Sequence, residues 1–190
     1  MAAPDLFSTR LFEHAEVMRA LESQAECFQA ITETATRAIL AGGKICFMGN
    51  GGSAADSQHL AAELVGRFQR ERTSLPSIAL TTDTSILTAV ANDYGYEAIF
   101  ARQIEGLCRP GDVVIGLSTS GNSPNVLRGI EVANRLGLAT IGFSGGSGGK
   151  LAQIAQQSII VPSPKAARVQ EAHIFLGHTL CEAIENAIDS

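Results

Sequence analysis

The sequence predicts an α/β protein: a three-layer sandwich built on a five-stranded parallel sheet, with N-terminal helices in front of it. Three observations carry this. From residue 44 onward, five short apolar runs alternate with helical stretches, the pattern of strand–helix units whose parallel strands are covered on both faces. Glycine- or serine-rich loops follow the first and third apolar runs, where such sheets place their ligands, beyond the carboxyl ends of the strands. The stretch before residue 42 shows no strand pattern, only apolar residues at steps of three and four.

The elements follow in order. Leu6, Phe7, Leu11, Phe12, Ala15, Val17 and Met18, then Ile31, Ala35, Ala38 and Ile39, mark a helical region from Asp5 to about Ala41. It is too long for one ordinary globular helix, so two helices are expected, breaking near Glu22–Gln24 and stopped by Gly42-Gly43. Strands are expected at Lys44–Met48, Pro76–Leu80, Asp112–Leu117, Ala139–Phe143 and Ser158–Val161. Helices are expected at Ser53–Arg67, Ser85–Ala91, Tyr96–Leu107, Ser123–Leu136, Lys150–Ala155 and Arg168–Ile188. Asn92-Asp93-Tyr94-Gly95 reads as a turn between two of them, and Gly145–Gly149 as a loop.

The 190 residues fit one domain with a continuous core, and 45% hydrophobic against 17% charged residues is an ordinary folded composition. A net charge of −5 without dense Lys/Arg blocks argues against nucleic acid or a membrane surface as partner. Any phosphate site must then use local N–H groups and hydroxyls. Cys27, Cys46, Cys108 and Cys181 form no CxxC pair, so reduced thiols and a cytoplasmic location are expected. Met1–Arg10 lacks the pattern of a secretory signal, and no apolar run reaches the ~20 residues of a membrane span.

Ser118-Thr119-Ser120-Gly121-Asn122-Ser123 follows the third strand and opens a helix. Hydroxyls and backbone N–H groups there can surround a phosphate without lysine. The plainer alternative is a polar loop with Ser123 as helix N-cap. Gly49-Asn50-Gly51-Gly52-Ser53, after the first strand, is a poor dinucleotide fingerprint, because no acidic residue ends the second strand at Leu80. It lacks the Gly-Lys-Ser/Thr of a Walker loop. Two such loops after two parallel strands are a stronger signal than either alone.

His59 and Glu63 are four residues apart, so they share one helix face beyond the glycine loop. Together they can hold a metal, move a proton, or both; the plain reading is a solvated ion pair worth ~0.3–0.5 kcal/mol. The last helix carries Gln170, Glu171, His173 and His178 among apolar residues. Periodicity does not choose between the two histidines there. His14 reads as a surface residue without a role.

The order GNGGS, HxxxE, NDYG, STSGNS and RxQExHxxxxH resembles the sugar isomerase (SIS) domain family, and within it the phosphoheptose isomerases. The resemblance covers nearly the whole chain and implies a flavodoxin-like SIS fold over residues 1–190, with 1–41 as a helical oligomerisation segment and 42–190 as the phosphosugar-binding core. It implies conversion of sedoheptulose 7-phosphate to D-glycero-D-manno-heptose 7-phosphate, an early step of bacterial heptose and lipopolysaccharide precursor synthesis. By resemblance, Ser118, Thr119, Ser120 and Ser123 bind the phosphate. Asn50, Gly51, Gly52, Ser53, Asn92, Asp93, Glu63 and Gln170 contact the sugar. His59, Glu63, Gln170 and His178 match the family's zinc positions, with Glu63 and His178 as the acid/base pair. Members of the family often carry Asp or Thr where this chain has Ala167.

Two imidazoles, a carboxylate and an amide oxygen suit zinc, with nickel or iron as alternatives. Gln170 and His178 are eight residues apart, ~12 Å along a straight helix, so one metal reaches both only through extended side chains. An active site at a subunit interface is therefore expected, and the resemblance implies a homotetramer. The competing class is a non-catalytic SIS-domain protein that binds a phosphosugar and the replication initiator. By resemblance those proteins lack the Glu of HxxxE and the final His, both present here as Glu63 and His178.

Overall fold

The computed structural model describes residues 5–188; the two ends of the expected 1–190 span lie outside the described residues. The order is α1 (Leu6–Ala20), a 3-10 turn (Leu21–Gln24), α2 (Ala25–Leu40), β1 (Ile45–Gly49), α3 (Gly52–Val65), β2 (Ser77–Ala79) and α4 (Thr84–Tyr94). A second 3-10 turn (Tyr96–Ala98) leads into α5 (Ile99–Leu107), β3 (Val113–Leu117), α6 (Pro124–Arg135), β4 (Ala139–Gly145), α7 (Leu151–Ile154), β5 (Gln157–Val161) and α8 (Ala166–Ile188).

All pairings in the sheet are parallel, in the order β2-β1-β3-β4-β5. Strand residues alternate between two cores. Ile45, Phe47, Val113 and Ile115 pack with α2, α3 and α8 on one face. Cys46, Met48 and Val114 pack with α5, α6 and α7 on the other. Both faces are thus covered, which is why these strands read as continuous apolar runs. The strand order reverses direction at β1/β3, the point beyond whose carboxyl ends such sheets place their ligands. Gly49 and Leu117 are register partners, so the two candidate loops leave the sheet side by side.

Two expected boundaries are corrected. Asn92, Asp93 and Tyr94 are the last turn of α4, not a turn between helices. Asp83 caps the start by accepting the Ile86 N–H at 2.9 Å, and nothing breaks the helix before Gly95. That glycine adopts φ +85°, a conformation costly for residues with a Cβ. Gly145 likewise ends β4 as the partner of Val161 instead of opening the following loop.

The N-terminal break falls where expected, at Leu21–Gln24. α2 buries Ile31, Ala35 and Ile39 in the core. α1 buries none of its residues, and Leu6, Phe7, Leu11 and Phe12 are exposed. Among the described residues no helix is long and apolar enough to cross a membrane.

Candidate functional site

The loop after β3 is shaped by Gly121. Its φ is +67°, and a Cβ there would stand 2.1 Å from the Gly148 carbonyl oxygen, so the chain makes this approach only with glycine. Ser123 occupies the N-cap position of α6 but makes no capping bond. Its hydroxyl instead meets the Ser118 hydroxyl at 2.9 Å. The Ser120 hydroxyl accepts the Asn122 N–H at 3.2 Å. In the first turn of α6 Pro124 has no N–H and the Val126 N–H is taken by the Asn125 side chain at 3.0 Å, which leaves the Asn125 N–H beside the paired hydroxyls. Such an arrangement suits an anion.

Asn50 and Asn125 form a reciprocal amide pair, each donating to the other at 2.8 Å. The pair ties the loop after β1 to the start of α6. The Tyr96 hydroxyl adds a third bond, donating to the Asn50 side-chain Oδ1 at 3.0 Å. Asn92 and Asp93 are exposed at the end of α4 and bond to each other at 2.8 Å.

α3 and α8 follow parallel strands on one face of the sheet and run in the same direction. Residues seven apart on α3 therefore meet residues eight apart on α8. At the start of α3, a Cβ on Gly52 would lie 2.2 Å from the Gln170 amide nitrogen, so the Gln170 amide rests directly on the backbone there. The same amide donates to the Asp56 carboxylate at 3.5 Å. Two turns on, Nε2 of His59 and Nε2 of His178 are 2.8 Å apart. Glu63 lies 3.2 Å from His59 Nε2.

His59, Glu63 and His178 thus converge within one chain, with donor atoms all within 4.8 Å of one another. Two imidazole nitrogens and a carboxylate oxygen are a donor set that suits zinc. Only His59 is strongly exposed, its side chain 48% open to solvent. Asp56, buried on the same helix face, has its carboxyl pushed above its ordinary pKa by desolvation, against the pull of Gln170 and the two histidines. One of its oxygens has no hydrogen-bond partner.

The structure separates the histidines that periodicity left open. His173 is fully buried beside Phe143 and meets the Ser144 carbonyl at 3.2 Å. Burial lowers its pKa to about 4, so it is a neutral core residue. His14, read as a surface residue, instead bonds the Glu171 carboxylate at 2.8 Å and joins α1 to α8.

A family model for the SIS domain matches residues 12–145. A phosphoheptose isomerase from Aquifex aeolicus is 57% identical over 177 residues, covering 93% of either chain. One from Roseiflexus is 54% identical over 170 residues, covering 90% of this chain and 86% of its own. The solved phosphoheptose isomerase from Neisseria gonorrhoeae superposes with a TM-score of 0.90 at 39% identity, over 95% of this chain and 97% of the other. That from Francisella tularensis gives 0.92 at 32% identity, over 98% of this chain and 100% of the other. The chain belongs to the phosphoheptose isomerase branch of the SIS domain family.

Within this phosphoheptose isomerase fold, sequence reasoning passed over four residues of the site. Asp56 was within reach, being three residues before His59 and so on the same helix face. Asn125 and Tyr96 carry no local signal, because their contacts to Asn50 span 75 and 46 residues. Phe68 lies in the segment after α3, and its ring stacks on His178 with centroids 5.3 Å apart.

Proposed function

We propose that this chain isomerises sedoheptulose 7-phosphate to D-glycero-D-manno-heptose 7-phosphate through an enediol, supplying the heptose precursor of bacterial glycans such as lipopolysaccharide. The observation that carries this is the meeting of His59, Glu63 and His178 at one end of a path along α3 whose other end adjoins the Ser118–Ser123 loop. The path from Gly52 to His59 is about 10 Å, room for a phosphosugar held at one end and reacting at the other.

Ser118, Thr119, Ser120 and Ser123 bind the phosphate with hydroxyls and N–H groups. Asn50, Gly51, Gly52, Ser53, Asn92 and Asp93 hold the sugar, the Asn50 amide being fixed by Asn125 and Tyr96. Glu63 takes the proton from C1 and returns one to C2. His178 moves the proton between O1 and O2, as general acid–base catalysis requires. Zinc held by His59, Glu63 and His178, with the Gln170 amide turned from its rest on Gly52 and Asp56 as the fourth ligand, would supply positive charge beside the sugar oxygens as negative charge builds on them. Gln170, resting on Gly52, also contacts the sugar.

The enzyme acts as a cytoplasmic homotetramer, its subunits joined through residues 1–41. The bare apolar side chains of α1, with Phe175 of α8 also exposed, support packing of these helices against other copies.

The test is turnover of sedoheptulose 7-phosphate by the purified protein, followed by the ketose-to-aldose change, with metal content measured on the same sample. Turnover with about one zinc per site supports the proposal. Binding of the sugar phosphate without turnover, in zinc-loaded and metal-free protein alike, overturns it in favour of a binding protein.

A further inference from the structure

The segment between α3 and β2 (residues 66–76) has no regular structure, yet it is anchored by a buried charge. Glu185 of α8 accepts N–H bonds from Phe68 at 2.8 Å, Gln69 at 2.9 Å and Arg70 at 3.3 Å. It also accepts from Arg72 Nε at 3.0 Å, and the two side chains are 1% and 2% exposed. Burial alone would raise the Glu185 pKa, but the three N–H donors and Arg72 hold it below the ordinary value. Glu185 is therefore the charged acceptor about which the segment is wound.

Arg72 extends the clamp to the catalytic helix. Its guanidinium donates to the Glu63 carbonyl at 2.8 Å and the Leu64 carbonyl at 2.8 Å. These are carbonyls at the end of α3, where no further helical N–H is in place to bond them. One buried ion pair thus fixes the main chain at Glu63 and also the backbone of Phe68.

The Phe68 ring lies nearly parallel to the His178 imidazole, 5.3 Å between centroids and 23° between planes. His59 meets the same imidazole at 76°. An imidazole turns easily about its second side-chain torsion, which has broad wells. With its face against Phe68 and its Nε2 edge at His59, the ring is held in one orientation.

We propose that Phe68 is a positioning residue for His178, set in place by the Arg72–Glu185 pair. The inference rests on the role given to His178 in the proposed isomerisation. Phe68 touches neither substrate nor metal in this scheme; it fixes the plane in which His178 presents its nitrogen. Leucine at this position would keep an apolar side chain but lose the flat face, whereas tyrosine would keep both ring and stacking.

The experiment compares Phe68→Leu and Phe68→Tyr with the wild-type holoenzyme by steady-state kinetics and by NMR of the His178 ring protons. Expected for Phe68→Leu is a loss in kcat of about tenfold to a hundredfold, the scale of an ångström-level misplacement, with KM nearly unchanged. The His178 ring resonances should move as the stacked ring's current is lost, and Phe68→Tyr should restore both readouts. Wild-type kcat and unmoved resonances in Phe68→Leu, or a Phe68→Tyr variant as impaired as Phe68→Leu, overturn the inference. If the wild-type protein does not turn over the heptose phosphate, the proposed function fails, while the resonances still report whether Phe68 holds His178.

Discussion

Nε2 of His59 and Nε2 of His178 lie 2.8 Å apart across 119 residues of chain. Two such nitrogens can share one hydrogen only if one ring donates and the other accepts, so the two rings turn toward a common point although His59 stays half open to solvent. The contact exists because α3 and α8 approach closely one residue away. A Cβ on Gly177 would stand 2.4 Å from a Leu60 methyl, so the fully buried Leu60 fits only against a bare backbone. Gly177 and Leu60 are the direct neighbours of His178 and His59.

Replacing Gly177 by alanine should therefore act on the site as well as on the core. Overpacking of this kind costs about 1–3 kcal/mol, which would appear as a lower denaturant midpoint. Widening the gap between the helices should also part the histidines, so kcat should fall beyond what the remaining folded fraction explains. Full specific activity in a measurably destabilised variant would show that the close approach serves packing alone.

Glu63→Gln keeps size and shape but removes the base. Turnover should fall by at least ~10³-fold, over ~4 kcal/mol of barrier, with the sugar phosphate still bound. Titration calorimetry with sedoheptulose 7-phosphate checks the second half. Activity within tenfold of wild type would move the proton abstraction elsewhere.

Zinc should report on the same cluster without catalysis. Chelation should lower the unfolding temperature and abolish turnover, and zinc should restore both. Ligand at a hundred times its dissociation constant stabilises the folded state by ~2.7 kcal/mol. His59→Ala should remove most of the zinc-dependent shift in unfolding temperature. A shift that survives in His59→Ala would place the ion at other residues.

Ser118→Ala tests the loop after β3. A hydrogen bond to a charged group contributes about 1.5–3 kcal/mol, so KM should rise about tenfold or more with kcat little changed. Inorganic phosphate should weaken as a competitive inhibitor in the same proportion. An unchanged KM would mean that the Ser118–Ser123 hydroxyl pair is structural.

His173 predicts a pH effect on stability. Its folded pKa is about 4 against an ordinary 6.5, because burial disfavours the charged ring. Between those values the unfolded chain binds a proton that the folded chain refuses, so stability falls as pH falls from 6.5 toward 4. Above pH 6.5 neither state is charged and the effect vanishes. The loss amounts to roughly 3 kcal/mol at most, and a His173→Gln variant should lack this slope in chemical denaturation between pH 6.5 and 4.

The sequence alone determined the layered α/β class, the five strands and a helix break near Glu22–Gln24, because these follow from local periodicity and glycine placement. It also determined that His59 and Glu63 share a face, since four-residue spacing on a helix decides that by itself. The reach of α4 through Asn92–Tyr94 was not legible. Asn and Asp punctuate turns as often as they end helices, and the cap at Asp83 and the left-handed Gly95 decided between the two.

Periodicity did not decide which histidine of the last helix faces His59; the resemblance pointed to His178, and the tertiary structure gives the physical reason. His173 and His178 are both set among apolar residues in sequence, and the packing of α8 sends one into the core and the other to the cleft. The partners Asn125, Tyr96 and Phe68 were equally hidden, because each contact depends on the direction in which a distant element leaves the sheet. Local chemistry is written in the spacing of residues; which groups meet is fixed by the parallel course of α3 and α8 over one face of the sheet.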